Sequence, residues 1–527
     1  MVAAVASVAA IRPEVRAARL LVGTAGAAVV AVEPDGTRRK VLSDAKDAAY
    51  SPDGTLIAFA RDGDLWIANA DGSGQRRLAR TPGVDEWGPA WLPDGSAIVY
   101  TARVNGTRQI RLFSLPTGPS RRIAASSASE YAPAVSRNGR LAFVSTRSGA
   151  PAIYVAQTSG VGAVAFDTPP PVVPPPPPPP PTTTTTTTAT TPTTTTTPVP
   201  LPPPTDMRDL AWSPDGTRLA YTVQAVDGST EVVVDDGTTR TTLSAAPGGD
   251  EHPVWSPDGS RVAFDDGSGN LVSTAPDGSD RRALGLGRPL DWRVVPVGHP
   301  LFPNLVQRPP SGLVVTRSAN GRWLLGFTSL VDNRGPGVLW IRGTRAPDAS
   351  VMQASQLVQL EGGGVRVLPH SGELHYTDAP PHYHWHLLGF DRYELLRAGN
   401  LQLLVRDHKS GFCLADHYGT SPYVPHGPAR FLGNCAQFQP QARAVTEGSS
   451  VGYTDRYPAF FHGQDLDITK VPPGRYWIVH HVNSDFHLRE EHYDDDDASL
   501  LVRIAWPSGR SQAPQVTPLR ACREETC

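Results

Sequence analysis

Short apolar stretches separated by a glycine turn recur five times in the first half of the chain. Each places apolar residues on both sides of a Pro-Asp-Gly or Asn-Gly turn, as in AWSPDGTRLAYT and VWSPDGSRVAFD. Asp-Gly and Asn-Gly supply the positive φ that joins adjacent antiparallel strands, so each segment predicts a β-hairpin. The five segments are residues 49–60, 90–101, 134–145, 211–222 and 254–265.

The turn glycines are 41 to 44 residues apart, with one exception. Gly139 and Gly216 are 77 residues apart, and the Pro/Thr-rich tract 169–204 lies between them. Without these 36 residues the interval is 41. A period of ~40–45 residues with about four short strands is typical of propeller blades. We therefore interpret the tract as a low-complexity loop or tether inserted into a regular array.

The first half-repeat, residues 19–42, lacks the leading strand of a blade. Residues 290–294 (LDWRV) follow the fifth complete repeat and are expected to supply that strand, which closes a six-bladed ring and removes free sheet edges. The Ser-Pro-Asp-Gly phrases at 51–54, 213–216 and 256–259 resemble those of TolB-like propellers. The resemblance implies a docking platform formed by residues 19–168 and 205–295, with the repeated Asp, Gly and Trp residues serving turn geometry and blade packing.

Composition supports an all-β chain and excludes some partners. There are 53 Pro and 49 Gly among 527 residues, and the net charge is only −3, which gives no electrostatic reason to bind nucleic acid or anionic lipid. No apolar run approaches the ~20 residues of a membrane-spanning helix. Residues 1–18 are a candidate leader because residues 1–10 have the small apolar character of a signal-peptide core, although no Lys or Arg precedes them.

All four cysteines lie in the last 115 residues, at positions 413, 435, 522 and 527. An even number of clustered cysteines is typical of two disulfides in an oxidising compartment, which favours an extracellular or secreted protein. Four free thiols in the cytosol are the alternative.

Histidine is concentrated in the second half, where 13 of the 15 residues follow position 301. His382, His384 and His386 alternate with Tyr383 and Trp385. In a strand this spacing places the three imidazoles on one face. Imidazole binds copper, zinc, iron or nickel, and three such ligands leave an open position for catalysis. Three solvent-facing structural histidines are the alternative, and the spacing alone does not identify the metal.

Residues 301–507 read as an antiparallel sandwich followed by a Cys-containing tail, 508–527, and four motifs in this region are recognisable. They are His382-Tyr383-His384-Trp385-His386; Phe390-Asp391-Arg392-Tyr393-Glu394-Leu395-Leu396; His408-Lys409-Ser410-Gly411-Phe412-Cys413-Leu414-Ala415-Asp416; and Asp455-Arg456-Tyr457 with Leu466-Asp467-Ile468-Thr469-Lys470-Val471-Pro472-Pro473-Gly474. In order and approximate spacing they resemble the lysyl oxidase catalytic domain. The predicted fold is thus a six-bladed β-propeller followed by an antiparallel sandwich-like catalytic domain.

The resemblance implies a copper amine oxidase with a self-derived cofactor. It assigns His382, His384 and His386 as copper ligands, and Lys409 and Tyr457 as the partners of a lysyl tyrosylquinone. Amine oxidation needs a carbonyl cofactor because side chains offer no adequate electrophile. The implied reaction converts a primary amine, or a peptidyl lysine, to an aldehyde with O2 as acceptor, releasing H2O2 and ammonia.

Two departures from the family pattern affect the expected site. Vertebrate members carry a His where Arg392 stands, so the resemblance assigns no general base here. They are also richer in cysteine, and a Cys413–Cys435 bridge is the expected remnant. The acidic run 494–497 with Glu490 and Glu491 offers clustered carboxylates for calcium, although a solvated loop is favoured.

Three hypotheses follow. The first is a secreted copper- and quinone-dependent amine oxidase that its propeller docks on a protein or cell-wall surface. The second is a noncatalytic copper-binding adhesion or scaffold protein in which Lys409 and Tyr457 never cross-link. The third is a cupin-like metalloenzyme using zinc, iron or manganese, with Glu394 near the histidines.

Overall fold

The structure, a computed structural model, describes most of the chain. The described residues are 16–78, 83–124, 126–159, 162–166, 204–243, 249–378, 380, 382–407, 411–420, 427–459 and 464–527. Within these ranges all the regular secondary structure is β-strand, which confirms the all-β prediction. No helix in the described part of the chain has the length and apolarity needed to cross a membrane. Most of the Pro/Thr-rich tract and of residues 1–18 lies outside the described residues.

Twenty-four strands form the N-terminal domain. They are β1 (Arg16–Gly23), β2 (Val29–Val32), β3 (Arg38–Leu42), β4 (Lys46–Tyr50), β5 (Leu56–Arg61), β6 (Asp64–Asn69), β7 (Arg76–Arg77), β8 (Asp85–Trp91), β9 (Ala97–Val104), β10 (Thr107–Ser114), β11 (Ser120–Arg122), β12 (Glu130–Val135), β13 (Arg140–Ser145), β14 (Ala152–Gln157), β15 (Val164–Ala165), β16 (Asp206–Trp212), β17 (Leu219–Gln224), β18 (Thr230–Asp235), β19 (Arg240–Thr242), β20 (Asp250–Trp255), β21 (Val262–Asp266), β22 (Asn270–Thr274), β23 (Arg282–Leu286) and β24 (Arg288–Pro296).

These strands form six four-stranded antiparallel sheets. Five contain consecutive strands, from β4–β7 to β20–β23, and the sixth has the order β24-β1-β2-β3. Strand β24 pairs with β1, with Trp292 opposite Leu20, so the segment expected to complete the first half-repeat does so. The inner strands β24, β4, β8, β12, β16 and β20 contact one another in that cyclic order. The ring is therefore closed by pairing of its two ends.

The repeated phrase has the structural roles that its composition predicts. Gly216 adopts φ +71°, and Asp215 accepts hydrogen bonds from the Ser213 hydroxyl and the Thr217 backbone N–H. The hydrogen bond from Ser213 and those from Thr217 lower the pKa of this exposed carboxyl to about 2. The indole N–H of Trp255 donates to the Ala211 carbonyl of the preceding sheet at 3.0 Å. These residues build turns and join neighbouring sheets.

Five inner strands share a β-bulge that the repeat pattern does not reveal. At each bulge one residue has positive φ: Asp47, Gly88, Ala132, Asp209 and His252. A bulge increases twist and redirects side chains. All five residues line the central cavity of about 820 Å³ enclosed by the inner strands.

Eighteen strands form the C-terminal domain. They are β25 (Pro300–Leu301), β26 (Leu305–Gln307), β27 (Ser311–Arg317), β28 (Trp323–Asn333), β29 (Leu339–Thr344), β30 (Met352–Leu360), β31 (Val365–Thr377), β32 (His384–Leu388), β33 (Asp391–Arg397), β34 (Leu403–Arg406), β35 (Gly411–Phe412), β36 (Tyr418–Gly419), β37 (Ala444–Ser449), β38 (Tyr453–Tyr457), β39 (Asp465–Asp467), β40 (Gly474–Val482), β41 (Asp497–Ala505) and β42 (Gln515–Cys522).

Three antiparallel sheets pack around one core. The first has the order β35-β32-β31-β30-β29-β37, the second β26-β28-β38-β36, and the third β34-β33-β40-β41-β42, with β25, β27 and β39 added at branches. Leu387, Val331 and Ile478 from the three sheets belong to the same buried cluster. Residues 508–527, expected only as a tail, contribute β42 to the third sheet.

The two domains contact each other directly. The Arg489 guanidinium donates to the backbone carbonyl and the hydroxyl of Thr55, each at 3.0 Å. The Asn69 amide donates to the Glu490 carbonyl at 2.9 Å. The contact therefore joins the sheet β4–β7 to the acidic segment of the C-terminal domain.

Candidate metal centre and tyrosine site

The three predicted histidines converge at the start of β32. His384 and His386 are in the strand, whereas His382 precedes it, so the predicted strand is two residues too long at this end. The ring centroids of His382 lie 5.5 Å from His384 and 5.2 Å from His386. Trp385 points to the opposite face, is 1% exposed and donates its indole N–H to the Gln439 carbonyl. Alternation therefore separates a histidine face from a buried face.

The arrangement of nitrogen atoms fits a metal ion. One nitrogen from each ring lies within 4.8 Å of those of the other two, and Nε2 of His384 is 2.7 Å from Nε2 of His386. Two basic nitrogens at that distance repel unless a proton or a cation lies between them. Three neutral imidazoles suit copper, and they leave coordination positions open. The residues present therefore fit the copper ion that the resemblance implies.

A threonine on the neighbouring strand orients one of these histidines. The Thr377 hydroxyl lies 2.8 Å from Nδ1 of His386, and His386 is 7% exposed. When Nδ1 carries the proton it donates to Thr377, and the lone pair of Nε2 then faces His384. Partners of this kind fix the tautomer and ring orientation of metal ligands. Thr377 was not among the predicted site residues.

Gly411 brings β35 very close to the histidine strand. A Cβ atom at this position would lie 2.7 Å from the Cβ of His386 and 3.0 Å from Leu388 Cδ2. Real Cβ atoms do not approach that closely, so a larger residue would displace either β35 or His386. The glycine in the third motif is therefore required by packing against the metal centre.

Tyr457 is buried at the end of β38. It is 3% exposed, and its ring packs edge-on against Phe412 with 4.8 Å between centroids. Its hydroxyl donates to Asp455 Oδ2 at 2.5 Å and also lies 3.3 Å from the Cys413 carbonyl. Burial and the adjacent Asp455 carboxylate raise the pKa of Tyr457 well above its ordinary value. Loss of the phenolic proton therefore needs a nearby acceptor.

Lys409, the predicted partner of Tyr457, lies outside the described residues. The described chain resumes at Gly411, which packs on His386, and continues with Phe412, which packs on Tyr457. Strand β35 thus connects the histidine face to the tyrosine. Lys409 precedes Gly411 by two residues in the sequence.

The sequence pattern did not identify Asp455 and His417 as site residues. Nδ1 of His417 lies 2.9 Å from Asp455 Oδ1, and the backbone N–H of His417 donates to the Thr454 carbonyl. The Asp two residues before Tyr457 was part of a recognised motif, and strand alternation places both on one face. The position of His417 depends on the pairing of β36 with β38, for which the sequence carries no local signal.

Arg392 stands among ion pairs rather than at a base position. Its guanidinium lies 3.4 Å from Glu394 and 3.8 Å from Asp485. The adjacent Asp391 is buried, and the Ser329 hydroxyl donates to it at 3.0 Å. Burial raises the pKa of Asp391 to about 7.

The favoured prediction of a solvated loop at the acidic run is wrong for part of it. Glu490 is fully buried and Asp496 is 5% exposed. Neither carboxylate oxygen of Asp496 has a hydrogen-bond partner among the described residues. Burial raises the pKa of both groups well above the ordinary value. The calcium alternative stays open, since Ca²⁺ takes carboxylate oxygens as ligands.

Two disulfides are present. Cys413–Cys435 is the expected bridge, and Cys522–Cys527 closes the C-terminal segment. The Cys435 carbonyl accepts the backbone N–H of Trp385 at 3.0 Å. The first bridge therefore links the segment beside Tyr457 to the histidine strand.

The fold and site define an all-β protein in which a propeller precedes a sandwich bearing three clustered histidines that could hold a metal ion, connected through β35 to a buried tyrosine. Comparison with known families is consistent with this: residues 352–506 match the family model described as lysyl oxidase. The resemblance carried by the four motifs is thereby confirmed. Residues 352–506 are thus similar to the lysyl oxidase family.

Individual proteins are similar in sequence to this chain over part of their length. Protein-lysine 6-oxidase of Sus scrofa is 31% identical over 138 residues, covering 25% of this chain and 50% of that protein. For the Rattus norvegicus protein of the same name, the 138 residues cover 30% of its length. Lysyl oxidase homolog 1 of Homo sapiens is 31% identical over 116 residues, 22% of this chain and 18% of that protein. The chain thus spans half or less of these relatives.

Two solved structures are similar to about half of this chain. TolB from Acinetobacter baumannii covers 53% of this chain and 66% of its own, with a TM-score of 0.40 and 20% identity. A chain of the nidogen/laminin complex covers 53% of this chain and 98% of its own, with a TM-score of 0.40 and 10% identity.

Proposed function

We propose that this protein is a copper-dependent amine oxidase that converts primary amines, including peptidyl lysine, to aldehydes with O2 as acceptor and with release of H2O2 and ammonia. The observation that carries the proposal is the connection through β35. Gly411 packs on His386, and Phe412 packs on Tyr457. A metal held by the histidines and a cofactor made from Tyr457 would therefore lie along one short strand.

His382, His384 and His386 would hold the copper, and Tyr457 with Lys409 would provide the lysyl tyrosylquinone. When present, the quinone supplies the carbonyl that accepts electrons from the amine. The chain's own residues prepare this site. Thr377 orients His386, and the Phe412 ring and surrounding core keep water away from Tyr457.

The proposal is tested by oxidation of small amines and of a lysine-containing peptide by copper-loaded, air-exposed full chain, measured as H2O2 release. We expect turnover that phenylhydrazine abolishes and that Tyr457→Phe and Lys409→Arg eliminate. Tyr453→Phe, in the same strand, is the control and should retain activity. Copper-loaded protein without turnover or hydrazine adduct would instead support the noncatalytic copper-binding scaffold.

Metal identity distinguishes the proposed oxidase from the cupin-like alternative. We expect copper, rather than zinc, iron or manganese, to restore activity to metal-free protein. In the structure Glu394 pairs with Arg406 at 2.7 Å and Arg392 at 3.4 Å, so its charge is already compensated. Recovery of activity with iron or manganese alone would contradict the copper assignment.

We further propose that the propeller docks the oxidase domain on a protein or cell-wall surface. Its central cavity has a volume of about 820 Å³ and presents charges of both signs, including Arg137, Arg208, Asp47 and Asp209. Aromatic residues and arginine, both of which line this cavity, are enriched at protein–protein interfaces.

Charge reversal tests this role. Arg137 is exposed at the cavity, so Arg137→Glu should raise KM for a protein-bound lysine without altering KM for a small amine. Arg121→Glu, exposed on the outer strand β11, is the matched control. Equal effects of both variants on both substrates would contradict a docking role for the cavity.

The proposed location is outside the cell. Its support is the presence of two disulfides, which persist in oxidising compartments. Thiol quantification of protein isolated from its native source should find no free cysteine.

A further inference from the structure

The paired strands β36 and β38 connect a buried hydroxyl to the protein surface. Tyr418 lies opposite Thr454, and Gly419 lies opposite Tyr453. Continuing this antiparallel register by one residue places His417 opposite Asp455. Asp455 and Tyr457 are two residues apart and share one face of β38. Cross-strand pairing and strand alternation thus bring three ionisable side chains into a row.

The distances within the row allow proton transfer at each step. The Tyr457 hydroxyl donates to Asp455 Oδ2 at 2.5 Å, and the other carboxylate oxygen, Oδ1, lies 2.9 Å from His417 Nδ1. Tyr457 is 3% exposed and Asp455 is 1% exposed, whereas the His417 side chain is 40% exposed. The row therefore begins in the core and ends in solvent.

Other charged or ionisable groups near the row do not replace it. Burial raises the pKa of Glu447 well above its ordinary value, and the Tyr457 hydroxyl is directed at Asp455. Burial likewise keeps Tyr393 in its neutral form. Arg456 adjoins His417, with its backbone N–H 3.2 Å from Nδ1.

The pKa values of the two acceptors, Asp455 and His417, favour proton transfer along the row. The partner Asp455 raises the pKa of His417, and burial raises the pKa of Asp455. Both groups are thus better proton acceptors than the same side chains in water. Tyr457 has a pKa raised by burial and needs such an acceptor.

We propose that Asp455 and His417 form a relay that carries the phenolic proton of Tyr457 to solvent while the quinone is being made. This inference rests on the proposed function for its biological use, but the relay itself is a property of the copper-free chain. His417 acts through Asp455 and is a positioning and relay residue, not one that touches the substrate.

The proton balance is complete without a further reactant. The Tyr457 O–H bond breaks and its proton binds Asp455 Oδ2, leaving a phenolate. Rotation of the Asp455 carboxyl group about its Cβ–Cγ bond then turns the protonated oxygen toward His417, whose neutral Nδ1 takes the proton and leaves Asp455 as the carboxylate. The imidazolium then releases one proton to water. No electron moves in these steps.

The first test measures coupling in copper-free full chain labelled with ¹³C-histidine, by NMR titration, with His417→Gln used to assign the signal. Asp455→Asn should lower the pKa of His417 by about one unit, since a paired carboxylate favours imidazolium. Tyr457→Phe should raise it, because the carboxylate loses a hydrogen-bond donor. A His417 pKa that neither substitution changes would overturn the relay.

The second test follows growth of the quinone absorbance after copper and air are added, between pH 5.5 and 9. Wild type should form the cofactor faster as His417 becomes neutral. In His417→Gln the cofactor should form about 100-fold more slowly at pH 7, and the rise of the rate with pH should disappear. Added imidazole should restore the rate of His417→Gly, because this position is open to solvent. His481→Gln is the control, since His481 also pairs with a carboxylate, Asp497, at 2.6 Å.

The two measurements separate failure of the relay from failure of the proposed function. Wild type that binds copper but forms no quinone would contradict the proposed function, and the NMR coupling would still decide the relay. Normal quinone formation with an unchanged pH profile in His417→Gln would overturn the relay and leave the oxidase proposal intact. Loss of rate without imidazole rescue, together with absence of coupling, would assign His417 a structural role only.

Discussion

Removal of one hydroxyl beside the metal centre should weaken copper binding without unfolding the domain. Thr377→Val keeps the side-chain shape but replaces the group that lies 2.8 Å from His386 Nδ1. His386 is 7% exposed, so its ring N–H would have no ready replacement from solvent. Loss of such a partner typically costs 10- to 100-fold in metal affinity, or about 1.4 to 2.7 kcal/mol.

Competition between copper-free protein and a Cu²⁺ chelator of known affinity at pH 7.5 measures this change directly. Thr344→Val is the control, because Thr344 is exposed on β29 of the same sheet. Its affinity for copper should equal that of wild type. Unaltered affinity in folded Thr377→Val protein would refute the reasoning that this hydroxyl fixes the tautomer of His386.

Three further predictions concern stability. Burial raises the folded pKa of Asp391 to about 7, whereas this group ionises near 4 in the unfolded chain. The free energy of unfolding should therefore fall as pH rises through this interval, by up to ~4 kcal/mol. Asp391→Asn should reduce the difference between the free energies of unfolding measured in urea at pH 5 and at pH 7. Cys435→Ser removes a disulfide whose cysteines are 22 residues apart, and it should lower the free energy of unfolding measured in urea by about 3 kcal/mol. Millimolar Ca²⁺ should raise the thermal midpoint because it would let buried Asp496 ionise, and Asp496→Asn should remove that rise in calorimetry.

Features governed by local spacing were predictable from sequence. The constant interval between turn glycines predicted the sheets, and the missing strand of the first half-repeat predicted its pairing with the segment that became β24. Alternation predicted that Trp385 and the histidines lie on opposite faces, and in the structure Trp385 is buried. Each depends on periodicity within a few residues, which the chain displays directly.

Features governed by long-range register were not predictable. Thr377 reaches His386 because β31 pairs with β32, and His417 reaches Asp455 because β36 pairs with β38. Burial of Asp496 likewise depends on packing of the acidic segment against the core, whereas its composition favours a solvated loop. The C-terminal domain has no sequence repeat, and its hydropathy and spacing do not show which strands become neighbours, so these partners emerge only in three dimensions.

The proposed oxidase would make its own quinone from Lys409 and Tyr457. Proteolysis and mass spectrometry of the copper-loaded, air-exposed full chain detect this cross-link. We expect one hydrazine-reactive fragment in which the peptides containing Lys409 and Tyr457 are covalently joined, and we expect its absence from metal-free protein. Separate recovery of both peptides, unmodified, from protein holding one copper per chain would contradict this expectation.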